Sequence, residues 1–321
     1  MVVVSHGKEF MFQLVKGNLS MKKKLEKLIC YILWSVFSGL IIQICRNNDY
    51  PIVACLASAI LSLILVKIGF SAQDLLDNND WKTSQRRLKR GGFIKDDTII
   101  RISFAYLYRI KIGDKYLLVR NARNTGKYQP VGGVYKLKGN EKMKLKNMFH
   151  VMDDDKIPID ESSRDDYRLR MESRFLRDFV KRFDSKKSER ERICDVGREF
   201  KEELIETGIL NWNRITYRFC GRHMTELKFE EHFQIYELLL ADVVELLPTK
   251  EQEADLRRLM EMQPSNKYRF ATASQIACLG IDTTAGQLHE WVSDHSPKIL
   301  QENEGALMKP TCVGEVYTID L

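Results

Sequence analysis

The chain has 321 residues, 44% of them hydrophobic and 30% charged, with a formal net charge of +7. This composition argues against a disordered chain and a many-span transporter, and leaves room for one large or two small soluble domains beside any membrane segment. Seven cysteines without a CxxC pair argue against a disulfide framework; Cys220, His223 and His232 come nearest to a zinc set but lack a second close pair.

Residues 1–27 form a basic segment in which Lys16, Lys22, Lys23, Lys24 and Lys27 precede an uncharged stretch, Leu28 to Cys45. At the helical rise that stretch is long enough to cross a hydrocarbon core of about 30 Å. The polar turn Arg46-Asn47-Asn48-Asp49-Tyr50 follows, and Pro51 suits the first turn of a returning helix that runs to Phe70, with Lys67 near enough to its end to snorkel. A cleaved signal peptide is the competing reading, but the apolar core is long and no A-x-A-like site follows. A buried helical hairpin would show polar faces at helical spacing, and neither segment does. Lys82, Arg86, Arg87, Lys89 and Arg90 lie beyond the second segment, so the positive-inside bias predicts a multi-pass protein of the bacterial inner membrane with both termini cytoplasmic. Residues 71–97 read as a basic juxtamembrane linker, and the run 82–101 as solvated or as a neighbour of anionic headgroups.

The soluble part, 98–321, opens as β-structure. Thr98 to Ile112, the pair Gly113-Asp114 and Lys115 to Asn121 predict a hairpin with a two-residue turn. In Tyr128-Gln129-Pro130-Val131-Gly132-Gly133-Val134-Tyr135 the glycine pair permits a sharp turn or a close backbone approach. Residues 136–190 are dense in charge and read as an insertion, a loop plus one amphipathic helix carrying Phe175, Leu176, Phe179, Val180 and Phe183. Strand-like stretches at Ile215–Cys220 and Phe233–Leu240, then helical ones around Lys250–Glu261 and Ala285–Leu300, complete an α+β pattern.

The most chemically specific segment is Arg198-Glu199-Phe200-Lys201-Glu202-Glu203, in a helix expected over about Ile193 to Thr207. Helical spacing puts Glu199, Glu202 and Glu203 on one face, converging on one point, beside an apolar stripe of Ile193, Val196, Phe200 and Leu204. Such a carboxylate cluster suits Mg²⁺ or Mn²⁺, with Arg198 orienting or neutralising one member. A solvated acidic face balanced by Lys201 and Arg198 is the bland alternative.

This hexapeptide resembles the R-E-x-x-E-E core of the Nudix box, and Pro130-Val131-Gly132-Gly133 resembles the Pro-Gly-Gly element that precedes it. Two departures stand out: a charged insertion separates Gly133 from Arg198 where the family has a short loop, and Gly208 lies farther beyond the last Glu than usual. With the apolar hairpin, the Leu118–Gly133 segment and the insertion around Asp160-Glu161-Ser162-Ser163, Asp166 and Arg168-Leu169-Arg170, the chain resembles the membrane-anchored Nudix effectors associated with bacterial CD-NTases in CBASS antiphage systems, the SMODS-associated NUDIX domain family. The resemblance implies a two-helix transmembrane hairpin followed by a Nudix-like α/β/α sandwich with a large insertion. It also implies Glu199, Glu202 and Glu203 as metal ligands and, if the fold is active, as catalytic groups supported by Arg198. Gly132, Gly133, Arg120, Arg123 and Tyr128 become candidate ligand contacts. The implied function is an effector whose soluble domain senses a cyclic oligonucleotide made by a partner CD-NTase, after which the hairpins form a homo-oligomer in the bilayer and disrupt it. The alternatives are a membrane-tethered Mg-dependent Nudix hydrolase of a nucleoside diphosphate derivative and an inactive scaffold. Binding of a nucleic-acid polymer is not suggested, because the basic residues cluster near the apolar segments.

Overall fold

The computed structural model describes residues 26, 28–48, 50–76, 81–121, 126–161, 163–262, 265–281, 290–308, 310 and 312–321, with the backbone alone for 70–76. The chain divides into two compact units, one ending at Thr83 and the other running from Ser84 to Leu321.

In the first unit, helix α1 (Leu28–Asn47) and helix α2 (Pro51–Leu76) are both long and apolar enough to cross a membrane, the windows that meet this test being Leu28–Asn47 and Pro51–Gly69. Their turn is closed by the Asn48 N–H donating to Ile44 O (3.2 Å) and the Tyr50 N–H donating to Cys45 O (2.9 Å). Small side chains at Ser38, Cys45 and Ala57 are buried, whereas Leu33, Trp34, Leu40, Ile52 and Leu63 are exposed. The hydroxyls of Ser35, Ser58 and Ser62 donate to carbonyls of their own helices at 2.7–3.0 Å, so they need no water.

Where a basic linker was expected, the chain forms helix α3 (Trp81–Arg90). From Ser84 onward this helix is fixed to the domain. The Leu227 N–H donates to Ser84 Oγ (2.7 Å), Gln85 Nε2 donates to Ser173 O (2.9 Å), and Arg177 Nε donates to Gln85 Oε1 (3.2 Å). Short polar side chains thus bind backbone on one face while Arg87 and Arg90 stay exposed.

Strand β1 (Ile99–Arg109) is the centre of the domain. Ile110 then passes the chain into a second sheet through β2 (Lys111–Ile112) and β3 (Lys115–Arg120), with Gly113 at φ +59° in the expected turn. Strands β4 (Tyr128–Gln129) and β5 (Gly132–Val134) follow. Residues 136–190 hold more than a loop and a helix: helix α4 (Glu141–Phe149), strands β6 (Met152–Asp153) and β7 (Arg168–Glu172), and helix α5 (Leu176–Asp184). Strand β7 pairs with β1 from Ile99↔Glu172 to Ser103↔Arg168. The charge density that suggested a loop is partly internal pairing, since Arg182 holds Glu141 through two bonds of 2.7 Å.

Helix α6 (Gly197–Phe200), strands β8 (Arg214–Met224), β9 (Lys228–Glu230) and β10 (Ile235–Leu246), helix α7 (Lys250–Glu261), strand β11 (Tyr268–Thr272), helix α8 (Ala273–Ala277) and strand β12 (Val316–Asp320) complete the chain. The larger sheet has eight strands ordered β12-β8-β10-β1-β7-β6, with β5 also on β1 and β9 on β10; the smaller has four, β11-β3-β2 with β4 on β3. On one face of β1, Phe104 packs on Phe179 and Phe183 of α5 and Tyr108 on Phe200 of α6. On the other, Leu107 joins Tyr116, Leu118, Ala271 and Val292 beside the smaller sheet. The helix expected around Ala285–Leu300 is not found among the described residues. There Val292 bridges to Tyr128 and only a 3₁₀ turn, Ser296–Ile299, forms around Pro297.

Candidate functional site

The glycine pair and the acidic helix meet at the edge of β1. Strand β5 pairs with it through Tyr106↔Gly133 and Leu107↔Gly132. A Cβ at Gly132, whose φ is +152°, would stand 2.2 Å from Tyr106 O, and one at Gly133 would stand 1.9 Å from Glu199 Oε1. Only glycine lets the strand and the helix approach so closely. The Gly132 N–H donates to Glu203 Oε2 (3.0 Å), and Gln129 Nε2 lies 3.5 Å from Glu203 Oε1.

The helix starts later than expected, at Gly197. Ile193 precedes it in a turn, held where Tyr217 Oη donates to Ile193 O (3.0 Å) and Tyr108 Oη to Val196 O (3.1 Å). After Phe200 it widens into a π-helical turn, Lys201–Ile205. Such turns recur at functional sites. The three carboxylates line one cleft, with Glu199 and Glu203 against the adjoining Gly133 and Gly132. Glu203 is turned onto Gly132, while Arg198 Nη1 stands between the other two, 2.5 Å from Glu199 Oε1 and 3.4 Å from Glu202 Oε2, and Nη2 donates to Val134 O (3.0 Å).

A fourth carboxylate, Glu191, was not anticipated. It is buried, accepts the Lys136 N–H (3.2 Å) and lies 3.5 Å from Arg198 Nε. No spacing signal marked it within the charged run. Burial pushes the carboxyls of Glu191 and Glu199 up, with Arg198 opposing the shift in both. Glu203 is raised to about 8, first by burial and then by the charge of Glu199.

The oxygen donors suit a hard divalent cation in kind, but their arrangement does not fit one. Among the described residues no group of three His, Cys, Asp or Glu side chains is placed to hold a metal ion, and Arg198 fills the gap between Glu199 and Glu202. Cys220, His223 and His232 form no such group either; His223 Nε2 instead meets Lys298 O at 2.9 Å.

An open cleft of about 1520 Å³ runs from this helix to the insertion. It exceeds the roughly 300–1,000 Å³ of a pocket for one small molecule. Arg120, Gly132, Gly133, Arg198, Glu199, Glu202 and Glu203 line it, as does His232 of the weighed zinc set, together with Lys136, Lys156, Asp166, Arg168, Phe233 and Lys267, which sequence reasoning did not assign to a site. Asp166 bonds both Lys136 and Arg168. Tyr128 is not among the lining residues. It packs on the core of the smaller sheet, edge-on to Trp291 at 6.3 Å, and its hydroxyl donates to Ser265 O (3.3 Å), because β4 carries it under that sheet. Arg123 lies outside the described residues.

The family profile of the SMODS-associated NUDIX domain matches residues 99–300. No curated protein matches the chain. A solved structure titled as a UDP-X diphosphatase is 9% identical, covering 86% of this chain and 92% of that one at a TM-score of 0.22, an overlay too loose to bear on chemistry. Two N-terminal apolar helices followed by a Nudix-type α+β sheet domain is thus the architecture of this chain.

Proposed function

The chain belongs to the SMODS-associated NUDIX domain family, and we propose that it is a membrane-inserted nucleotide sensor, the effector of a CBASS antiphage system. A cyclic oligonucleotide supplied by a CD-NTase fills the cleft of the cytoplasmic domain. The apolar hairpins of several copies then assemble and breach the inner membrane. The observation that carries this reading is the cleft of about 1520 Å³ in which Arg120, Lys156, Arg168 and Lys267 supply positive charge, in a chain that also holds two helices apolar enough to span a bilayer. Its size suits more than one nucleotide unit. The hairpin supports the reading too: its large apolar side chains face outward and its serine hydroxyls are satisfied within their helices, as lipid requires. Helix α3 is bonded to the domain through Ser84 and Gln85.

Binding without turnover is favoured because Arg198 already stands between Glu199 and Glu202, at 2.5 and 3.4 Å. Nudix domains generally use Mg²⁺ or Mn²⁺, so a membrane-tethered hydrolase is the second reading, supported by the same acidic helix. Cells co-expressing the protein with a CD-NTase should lose membrane potential, read with a voltage-sensitive dye, and an intact potential under those conditions counts heavily against the sensor. The full chain in lipid nanodiscs with Mg²⁺ and a panel of dinucleotides and cyclic oligonucleotides should release no product; turnover abolished by Glu202→Gln or Glu203→Gln would establish the hydrolase instead.

A further inference from the structure

Phe233 belongs to the turn between β9 and β10 rather than to the strand where the sequence put it. That turn is strained. Gln234, the next residue, has φ +53°, a left-handed conformation rare outside glycine, asparagine and aspartate. Strain of this kind persists only where surrounding contacts enforce it, and it gathers at ligand sites. Gln234 Nε2 donates to Glu231 O (2.6 Å) within the turn, and the Phe233 ring beside it is held by Arg101 on β1. Its side chain is buried, its Nε donates to Asp154 Oδ2 (2.8 Å), its Nη1 bonds Glu237, and its guanidinium carbon stands 4.5 Å from the centre of the Phe233 ring.

One guanidinium therefore fixes two walls of the cleft: the turn through Phe233, and the insertion through Asp154, two residues before Lys156. The ring lines the cleft together with Lys156 and Arg168. An aromatic ring set among cations is the arrangement that takes a base by stacking and the adjoining phosphates by charge.

We propose that Phe233 is the platform on which one nucleobase of the ligand stacks, with Arg101 as the positioning residue that holds the ring and Lys156 facing the phosphates. The inference rests on the cleft being a nucleotide site. It adds which residue reads the base, and implies that affinity depends on a base and not only on phosphate charge.

The test uses the full chain in detergent micelles and calorimetric titration with two kinds of probe: 3′,5′-linked cyclic di- and triadenylate, and abasic cyclic sugar phosphates of the same ring size and charge. Phe233→Ala should weaken the base-bearing probes about 5- to 150-fold, the range of base–aromatic stacking, and leave the abasic ones unchanged. Phe233→Tyr should bind as the parent does. Arg101→Lys, which keeps the charge but loses the planar group over the ring, should weaken the base-bearing probes more than the abasic ones. Equal weakening of both probe types by Phe233→Ala, or of neither, overturns the stacking role while leaving nucleotide sensing intact. A wild-type chain that binds no base-bearing probe overturns the sensor reading and this inference with it.

Discussion

Replacing Glu203 with Gln tests the electrostatics of the site directly. The carboxyl is raised from 4.5 to about 8 by burial and by Glu199, so between those values the folded protein holds a proton that the unfolded chain has released. A raised carboxyl stabilises the fold fully below the unfolded value, and that contribution is lost as pH climbs to the folded one. The slope is about −1.4 kcal/mol per pH unit, and the whole window amounts to about 5 kcal/mol as an upper bound. Gln mimics the protonated acid, still accepts the Gly132 N–H through its amide oxygen, and does not titrate. Urea unfolding of the full chain in detergent, followed by near-ultraviolet circular dichroism of Trp212 and Trp291, gives both stabilities at several pH values. The wild type should fall relative to Glu203→Gln by about 1.4 kcal/mol per unit between pH 5 and pH 8. Taking the difference removes the upward shifts of Glu191 and Glu199, which both proteins share. Parallel curves for the two proteins would refute the reasoning, because Glu203 would then be ionised in the fold.

Gly133→Ala places a methyl 1.9 Å from Glu199 Oε1, so it should displace that side chain from Arg198 and lower the unfolding free energy measured in urea by about 1–3 kcal/mol. Gly132→Ala should cost more, because its clash is with the Tyr106 carbonyl at 2.2 Å and backbone in the central strand has less freedom to move. Arg198→Ala leaves Glu191 and Glu199 without their cation; a loss of about 2–4 kcal/mol at neutral pH is expected, shrinking at acid pH as the carboxyls protonate. The double change Ser84→Ala and Gln85→Ala removes two anchors of α3, and hydrogen exchange of amides 84–90 should rise well above wild type, with the exchange of β1 unchanged.

Much of the fold is legible in the sequence because it rests on local patterns. The Gly113-Asp114 turn and the spacing of Phe179, Val180 and Phe183 need only neighbours along the chain. Helix α7 runs over the expected Lys250–Glu261 and is started by a capping box, in which Thr249 accepts the Gln252 N–H. The misreadings share a cause. Charge density made 136–190 look like a loop plus one helix and 71–97 like a linker, but charges and amides there find partners far along the chain, as Gln85 does with Ser173. Helical spacing put three glutamates on one face but gave no sign that Arg198 would stand between Glu199 and Glu202.

The sequence by itself determined that two apolar helices precede an α+β domain, which is a matter of composition and periodicity; that a glycine pair and an acidic helix belong to one site is what the resemblance to the Nudix box implies. Only the tertiary structure decided which groups meet: Arg198 between Glu199 and Glu202, Glu191 beneath it, and Arg101 joined to Asp154, Glu237 and Phe233. Each contact with Arg101 is set by the parallel register of β1 with β10 or by the fold of the insertion. Cross-strand partners so far apart leave no period in the chain, because their spacing is fixed by the sheet and not by the backbone between them.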